Sequence, residues 1–447
     1  MPLLALGLAI VAGLVAWVFL GPLERAHVRD QLTGFPDSDA TAHGLRPMVL
    51  AGLCALPALA TVAYLTAGSL SRYLVRQFLA IFLICLCALF SLWLLMDLSD
   101  NLSDFRGTKK PLEAAMAFYG IRVPAVLLLL LPYSLLLALL YSLGKLSAQR
   151  EIVAMIQSGR GVVRLCLPLL VAGLFCTLAS LGLNYHWAPV AEGLQDDMMA
   201  QAKGIDAMDA SQVLYRNTAN RRLWMIGAFP PDYEKGMPLR EVEITTTDEQ
   251  DHIISRLSAS EAAWDRQYHH WTFSNPVIGR FSQGKPPVFE SPGKSLVVTD
   301  WPETPWLLIK PGLSPKYLGI PDLNTWLSAQ QAGNRFGEAA PYETHWHHRW
   351  ALPFTCLVTV LLASPLAIHF SRRGPGGGVF LAVVLSTLLM FTGTICLAFG
   401  EAGLMPPALA AWLPNLLFGV LGLYLFHRRI TGRPIYQSLR RLIPVAP

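Results

Sequence analysis

Arg150, Glu151, Met155 and Ile156 are the residues of this 447-residue chain whose types and spacing best suggest chemistry, and that chemistry is docking rather than catalysis. They lie in Gly144–Arg164, GKLSAQREIVAMIQSGRGVVR, a predicted short amphipathic helix between two uncharged runs, Val123–Leu143 and Leu165–Leu183. Each run is long enough to cross a hydrocarbon core of about 30 Å at about 1.5 Å per residue. A plain hairpin turn would need only a few polar residues. Here Ile152, Val153, Met155 and Ile156 fall on one side of a helix, with Arg150, Glu151 and Gln157 on another. Gly159 and Gly161 supply its stop. Such a helix spans nothing, so its use is to be held from outside the membrane.

Motifs of enzymatic chemistry are missing from the sequence. It has no GxxxxGKS or GxxxxGKT, so the chain cannot cradle ATP phosphates in the P-loop manner, and it has no HExxH or GxSxG. The Gly374–Gly378 run, GPGGG, lacks the lysine and reads as a flexible connection. His345, His347 and His348 have no acidic partners at matched spacing and read as interfacial histidines beside Trp346 and Trp350. Asp196 and Asp197 read as a solvated face. No acid that would mark a proton relay lies in the uncharged runs, which argues against an ion-driven transporter. Neither a metal nor a cofactor is expected on this chain.

The elements that position the docking residues are membrane spans. The sequence is 53% hydrophobic and 15% charged, with mean hydropathy +0.42, the balance of a multi-pass membrane protein. Eight uncharged runs are the predicted spans: Pro2–Leu20, Met48–Gly68, Phe78–Met96, Val123–Leu143, Leu165–Leu183, Ala351–Ile368, Gly376–Phe399 and Ala408–Phe426. A net charge of +5 is small for this length and implies no nucleic-acid partner. Lys and Arg set the orientation. With Arg72 and Arg76 cytoplasmic, that side collects thirteen basic residues, Lys145, Arg150, Arg160 and Arg164 among them, against seven in the opposite short loops. The docking helix is then cytoplasmic and the long polar segment external.

Between His186 and Arg349 the pattern changes to strands. Val213–Arg216, Leu223–Ile226, Glu241–Thr247, Ile253–Leu257, His270–Ser274 and Leu296–Thr299 are separated by Pro, Gly, Asn and Asp, which suggests a jelly roll or sandwich. Pro321–Gly333 reads as a helix, and Pro341–Trp350 leads back to the membrane. All seven cysteines lie in the uncharged runs, so the β-region has no disulfide framework and suits a bacterial periplasm through its own core. Pro2–Leu20 is a poor signal peptide, with no Lys or Arg before it and no small-x-small site after it. With Met48–Gly68 it reads as an appended hairpin.

Four segments in order carry a family resemblance. SRYLVRQFLAIF (Ser71–Phe82), LGKLSAQREIVAMIQSGRG (Leu143–Gly161), ALPFTCLVTVLLASPLAI (Ala351–Ile368) and GLMPPALAAWLPNLLFGVLGLYL (Gly403–Leu425) are similar to the lipopolysaccharide-export permeases of the LptF/LptG family. The resemblance covers about residues 71–430. It implies six core transmembrane helices, three before and three after a periplasmic all-β jelly-roll-like domain, with two extra helices at the N-terminus. The implied divisions are 1–70 (extension), 71–185 (helices one to three, with a coupling helix over 146–160), 186–340 (β-domain and following helix) and 341–447 (helices four to six and a basic tail).

The resemblance also implies the partners. A second LptF/LptG-type permease, an LptB-type ATPase dimer that uses the ATP, and an LptC-type membrane-anchored protein would move lipopolysaccharide from the bacterial inner membrane to a bridge of β-jelly rolls. Glu151 falls on the family's coupling-helix glutamate, with Arg150, Met155 and Ile156 around it. Basic residues near the outer end of the first core helix meet lipid phosphate in LptG-like members. Arg106, Lys109, Lys110 and Arg122 occupy that region here, behind Asp97, Asp100 and Asp104, and serve equally as headgroup anchors. Leu404–Leu417 leans toward LptG. Two other readings stay open: an ATPase-coupled mechanotransmitter that moves no lipid, and a passive envelope-assembly scaffold.

Overall fold

Residues 2–32, 42–106, 111–159, 161–202, 210–217, 220–230, 237–248, 250, 252–265, 268–282, 286–309, 312–331, 339–368 and 376–431 are described by a computed structural model. The chain runs α1 (Pro2–Leu32), α2 (Arg46–Thr66), α3 (Ser69–Arg106), α4 (Pro111–Ala148), α5 (Glu151–Gln157), α6 (Val162–Tyr185) and α7 (Trp187–Ala202). Eight strands follow, then α8 (Pro305–Ile309), α9 (Ile320–Gln331), α10 (Ala340–Ala351), α11 (Phe354–Ala367), α12 (Gly376–Glu401) and α13 (Pro407–Ile430). Among the described residues seven helices are long and apolar enough to cross a membrane, and an eighth span arises if the bent pair α10–α11 counts as one. Spans and strands thus fall in the expected order.

The helical core is built on rows at helical spacing. Leu74, Phe78 and Phe82 line one face of α3, and Leu135, Leu139, Leu143 and Leu146 line α4; all pack in one cluster with Leu165 and Leu169 of α6 and with α11 and α13. At 38 residues each, α3 and α4 are about 57 Å long, so the uncharged runs are only their middles. The same rows correct the docking helix. Because Leu143 and Leu146 continue the buried face of α4, Gly144–Ala148 belongs to that helix, and the separate element is the seven-residue α5 rather than 146–160.

Pro353 bends the fourth core span by 50° between α10 and α11. Proline has no N–H to continue the ladder, so the carbonyl of Arg349 loses its i+4 partner. Asn184 of α6 replaces it, donating through Nδ2 at 2.7 Å. Asn415 of α13 likewise donates to the Ala351 carbonyl at 2.6 Å. Two buried amides thereby satisfy a break that hydrocarbon would not. Arg349 is 6% exposed and turns its guanidinium to Asn184 Oδ1 at 3.2 Å, the Leu318 carbonyl at 3.3 Å and the Lys316 carbonyl.

The N-terminal hairpin is docked on this bundle. Its helices cross closely: a Cβ on Gly13 would lie 2.4 Å from the Cys54 carbonyl oxygen. A Cβ on Gly182 of α6 would meet the Leu53 side chain of α2 at the same separation, 2.4 Å. The region expected to begin the β-structure opens instead with α7, set off from α6 at His186 (φ −148°, ψ −49°) and lying along α4.

The sheet joins β1 (Ala210–Asn217), β2 (Arg222–Phe229), β3 (Leu239–Thr247), β4 (Ile253–Asp265) and β5 (His270–Ser274) as consecutive antiparallel neighbours, and β8 (Ser295–Val298) closes on β5. The 13-residue β4 divides its far edge: Ser255–Ser258 pair with β6 (Val277–Arg280), and Glu261–Asp265 pair with β5. β7 (Val288–Glu290) pairs only with β6. The sequence reading finds six of these strands and misses the β6–β7 hairpin, whose two short strands are too brief to show alternation.

A crease crosses the sheet. Buried residues alternate along each strand, then jump by three: Ile226 to Phe229, Leu239 to Val242, Ala259 to Ala262. A jump of three moves the buried side to the opposite parity. The three ladders skip one row at the jump, where Gln212, Gly227, Glu241 and Ser260 fall between paired residues. Gln212 and Glu241 carry φ of 52° and 54°, in the left-handed region, and a Cβ on Gly227 would be 2.8 Å from the Glu241 Cβ. The curl encloses Trp224, Trp264, Trp271 and Phe273.

Candidate functional site

The α5 joint begins where α4 stops. Arg150 takes φ 59°, a strained value for a non-glycine residue that costs on the order of 1–2 kcal/mol, and reverses the chain. After α5, Gly159 takes φ 89°, the expected glycine stop. Ser158 also caps the end, its Oγ donating to the Met155 carbonyl at 2.7 Å. Ile152 is fully buried and Met155 8% exposed, and both insert into the core beside Leu143, Leu146, Val162 and Leu165.

That insertion decides which expected residues face outward. Arg150, Ala154 and Gln157 are exposed, and Glu151, Val153 and Ile156 are half-buried. Met155 faces this chain's own interior and acts as an anchor. Glu151 is held by Tyr73 of α3, whose Oη donates to Glu151 Oε2 at 2.9 Å. Gln77 Nε2 donates in turn to the Tyr73 oxygen at 2.9 Å. The sequence reading omits Tyr73 and Gln77, although YLVRQ places them four apart on one helical face.

Of the predicted lipid-phosphate residues, Arg122 has a described side chain. Lys109 and Lys110 lie outside the described residues, as does the side chain of Arg106. Arg122 Nη1 is 2.7 Å from both oxygens of Asp97, with its guanidinium 4.7 Å from the centre of the Trp93 ring. Asn101 Nδ2 donates to Asp97 Oδ2 at 3.1 Å. Arg122 is therefore engaged within the chain. Asp196 and Asp197 lie outside the described side chains.

At the opposite end of the bundle from α5 polar groups pair, most of them buried. Arg46 of α2 meets Glu24 of α1 at 2.6 Å, with the two side chains 4% and 8% exposed. Trp187 Nε1 donates to the other Glu24 oxygen at 3.4 Å. Asp322, in the first turn of α9, lies 3.3 Å from His43 Nε2 and 3.6 Å from His186 Nδ1, and it accepts the Gly319 N–H at 3.2 Å. Burial pushes the Asp322 carboxyl up, but His186, His43 and Arg46 together outweigh it and hold the group well below the ordinary carboxylate range. His345, read as interfacial, is instead buried and lies 2.6 Å from Glu401 of α12. His347 stands edge-on to Trp346 at 4.8 Å.

Three core spans, an inserted β-sheet, three further spans and one short, half-exposed helix at the far end describe a multi-pass membrane protein with a large polar insert. Residues 72–428 match the family described as lipopolysaccharide export system permease LptF/LptG, and the chain belongs to that family. Among curated proteins it is similar to the lipopolysaccharide export system permease protein LptF of Escherichia coli K12, 24% identical over 363 residues, 79% of this chain and 93% of the relative. The LptF proteins of Escherichia coli O157:H7 and Shigella flexneri align with the same identity and coverage. The chain is thus an inner-membrane, multi-pass permease of lipopolysaccharide export. These relatives give the lean toward LptG no support. The match begins at Arg72, so α1 and α2 precede it.

Proposed function

We propose that this chain is one of two LptF/LptG-type permeases that lift lipopolysaccharide out of the inner membrane, driven by a separate LptB-type ATPase dimer docked on α5. The observation that carries the reading is the division of α5: Ile152 and Met155 root it in the core, while Arg150, Glu151, Ala154 and Gln157 remain open to a partner. A rooted helix transmits displacement, and its open end offers both signs of charge. Ile156 completes the contact from the half-buried side. The positive-inside count supports a cytoplasmic α5 and a periplasmic β-domain that delivers lipid to a jelly-roll bridge beside an LptC-type protein. Proposed phosphate contacts are Arg106, Lys109 and Lys110, joined by Arg122 once it leaves Asp97.

Copurification in mild detergent tests the coupling. Glu151→Arg is expected to reduce ATPase recovery at least tenfold, while the second permease and the fold are retained. Wild-type recovery of ATPase, together with normal lipopolysaccharide delivery in cells, would sink the role of Glu151. The relatives' name LptF and the LptG-like stretch Leu404–Leu417 correspond to two sides of one heterodimer, and the identity of the copurified permease assigns the side.

A further inference from the structure

An open cleft of about 860 Å³ lies between α3 and α4 at their α5 end. Its charged residues, Arg76 and Lys145, gather at one rim with Tyr73 and Gln77, and Tyr141 lies one turn of α4 further along. Its deeper wall is apolar, with Ala80, Ile81 and Ile84 of α3 facing Leu137 of α4. Along α3 the lining runs from Tyr73 to Cys85, about 18 Å of helix, passing from charge to hydrocarbon in one direction. No Asp or Glu lines it. Among the described residues Arg76 and Lys145 make no ion pair, and both are exposed. A span that keeps two unpaired cations above an apolar trough is complementary to an amphiphile with an anionic head.

We propose that this cleft binds one anionic glycerophospholipid from the leaflet on the α5 side, its phosphate between Arg76 and Lys145 and an acyl chain along Ala80, Ile84 and Leu137. Two features favour a phospholipid over the exported lipid. The cleft lies at the α5 end of α3, whereas the exported lipid's predicted phosphate residues follow Asp97 at the other end. The trough also has room for a chain or two rather than a multi-acyl anchor. Bound there, the headgroup adjoins Tyr73, whose hydroxyl holds Glu151. The site depends on cleft chemistry alone and stands whether or not an ATPase docks on α5.

Native mass spectrometry of the full-length protein with its copurified subunits, in nanodiscs of phosphatidylcholine doped with phosphatidylglycerol, tests the site. One tightly retained phosphatidylglycerol per permease is expected, and no retained phosphatidylcholine. Arg76→Gln with Lys145→Gln should weaken retention about tenfold or more, and Arg76→Lys with Lys145→Arg should restore it. Ile84→Trp, which fills the trough and leaves both cations, should also abolish retention; this keeps the proposal testable if the charge variant misfolds. Equal retention by wild type and both cleft variants would overturn it. So would retention of lipopolysaccharide in place of phosphatidylglycerol, or a disulfide from Ile84→Cys to a partner permease's helix, which would make the cleft a protein interface.

Discussion

The two ends of the helical bundle are built on opposite principles. At the end that carries the β-domain, polar groups are paired with at least one partner buried: Glu24 with Arg46, both buried, and the buried His43, His186 and His345 against the partly exposed carboxylates of Asp322 and Glu401. At the α5 end the interhelical hydrogen bond of Glu151 with Tyr73 is exposed, and α5 is retained by apolar insertion. Removing one member of a buried pair strands a charge and costs about 3–5 kcal/mol, whereas exposed pairs contribute about 0–1 kcal/mol. A lasting joint belongs to the first kind. A joint that exchanges partners, as proposed for Glu151, belongs to the second, because an exposed hydrogen bond to Tyr73 is given up at little cost. The comparison therefore separates a fixed root under the β-domain from an exposed contact at α5.

The most severe test of the rigid end is Glu24→Ala. It removes the carboxylate 2.6 Å from the buried Arg46 guanidinium and is expected to cost up to about 3–5 kcal/mol. Thermal unfolding of the purified protein should register this loss, and an unchanged midpoint would show that the hairpin is not a structural part of the root. A smaller effect is expected from acid. The folded state holds Asp322 below its ordinary range, so its contribution is complete above about pH 4 and is lost as pH falls further. Wild type should lose stability there more steeply than Asp322→Asn, and parallel profiles would remove Asp322 from the root. The least effect is expected at the α5 end, where Tyr73→Phe deletes an exposed hydrogen bond worth less than about 1 kcal/mol. A large drop in its unfolding midpoint would mean that the Tyr73–Glu151 bond fastens α5 and that the contrast between the ends is false.

The hairpin changes meaning under this comparison. Read in sequence, the first seventy residues form an appended hairpin. In the structure, Leu53 fills the notch left by Gly182, and Glu24 and His43 reach the root beside Trp187 and Asp322. Nothing in the local pattern signals this, because Asp322 is far along the chain from Glu24 and His43, and none of the three carries a local sign of its partner. The bend at Pro353 shows the converse. Proline announces the break, but the two amides that make it tolerable, Asn184 and Asn415, come from other helices.

The candidate site was partly legible for the same reason. Glu151, Arg150 and the glycine stop are local features, and helical periodicity exposes them. The boundary of α5 was not, since Gly144–Ala148 has the same amphipathic character whether it closes α4 or opens α5. Packing of Leu143 and Leu146 against the core settles it. Met155 shows how periodicity can mark an apolar side without saying whether a partner chain or the chain's own core covers it.

The sequence by itself determined the spans, their order around a β-region, the sidedness implied by Lys and Arg, and the family. Each follows from composition, short-range period or local motif, which survive without knowledge of distant neighbours. Tertiary structure alone decided the crease through Gln212, Gly227, Glu241 and Ser260, the docking of the hairpin, and the pairing of Arg122 with Asp97. Those depend on contacts between residues remote in the chain, where close approach of backbones and the cost of burying an unpaired charge select one arrangement among many that the local pattern allows.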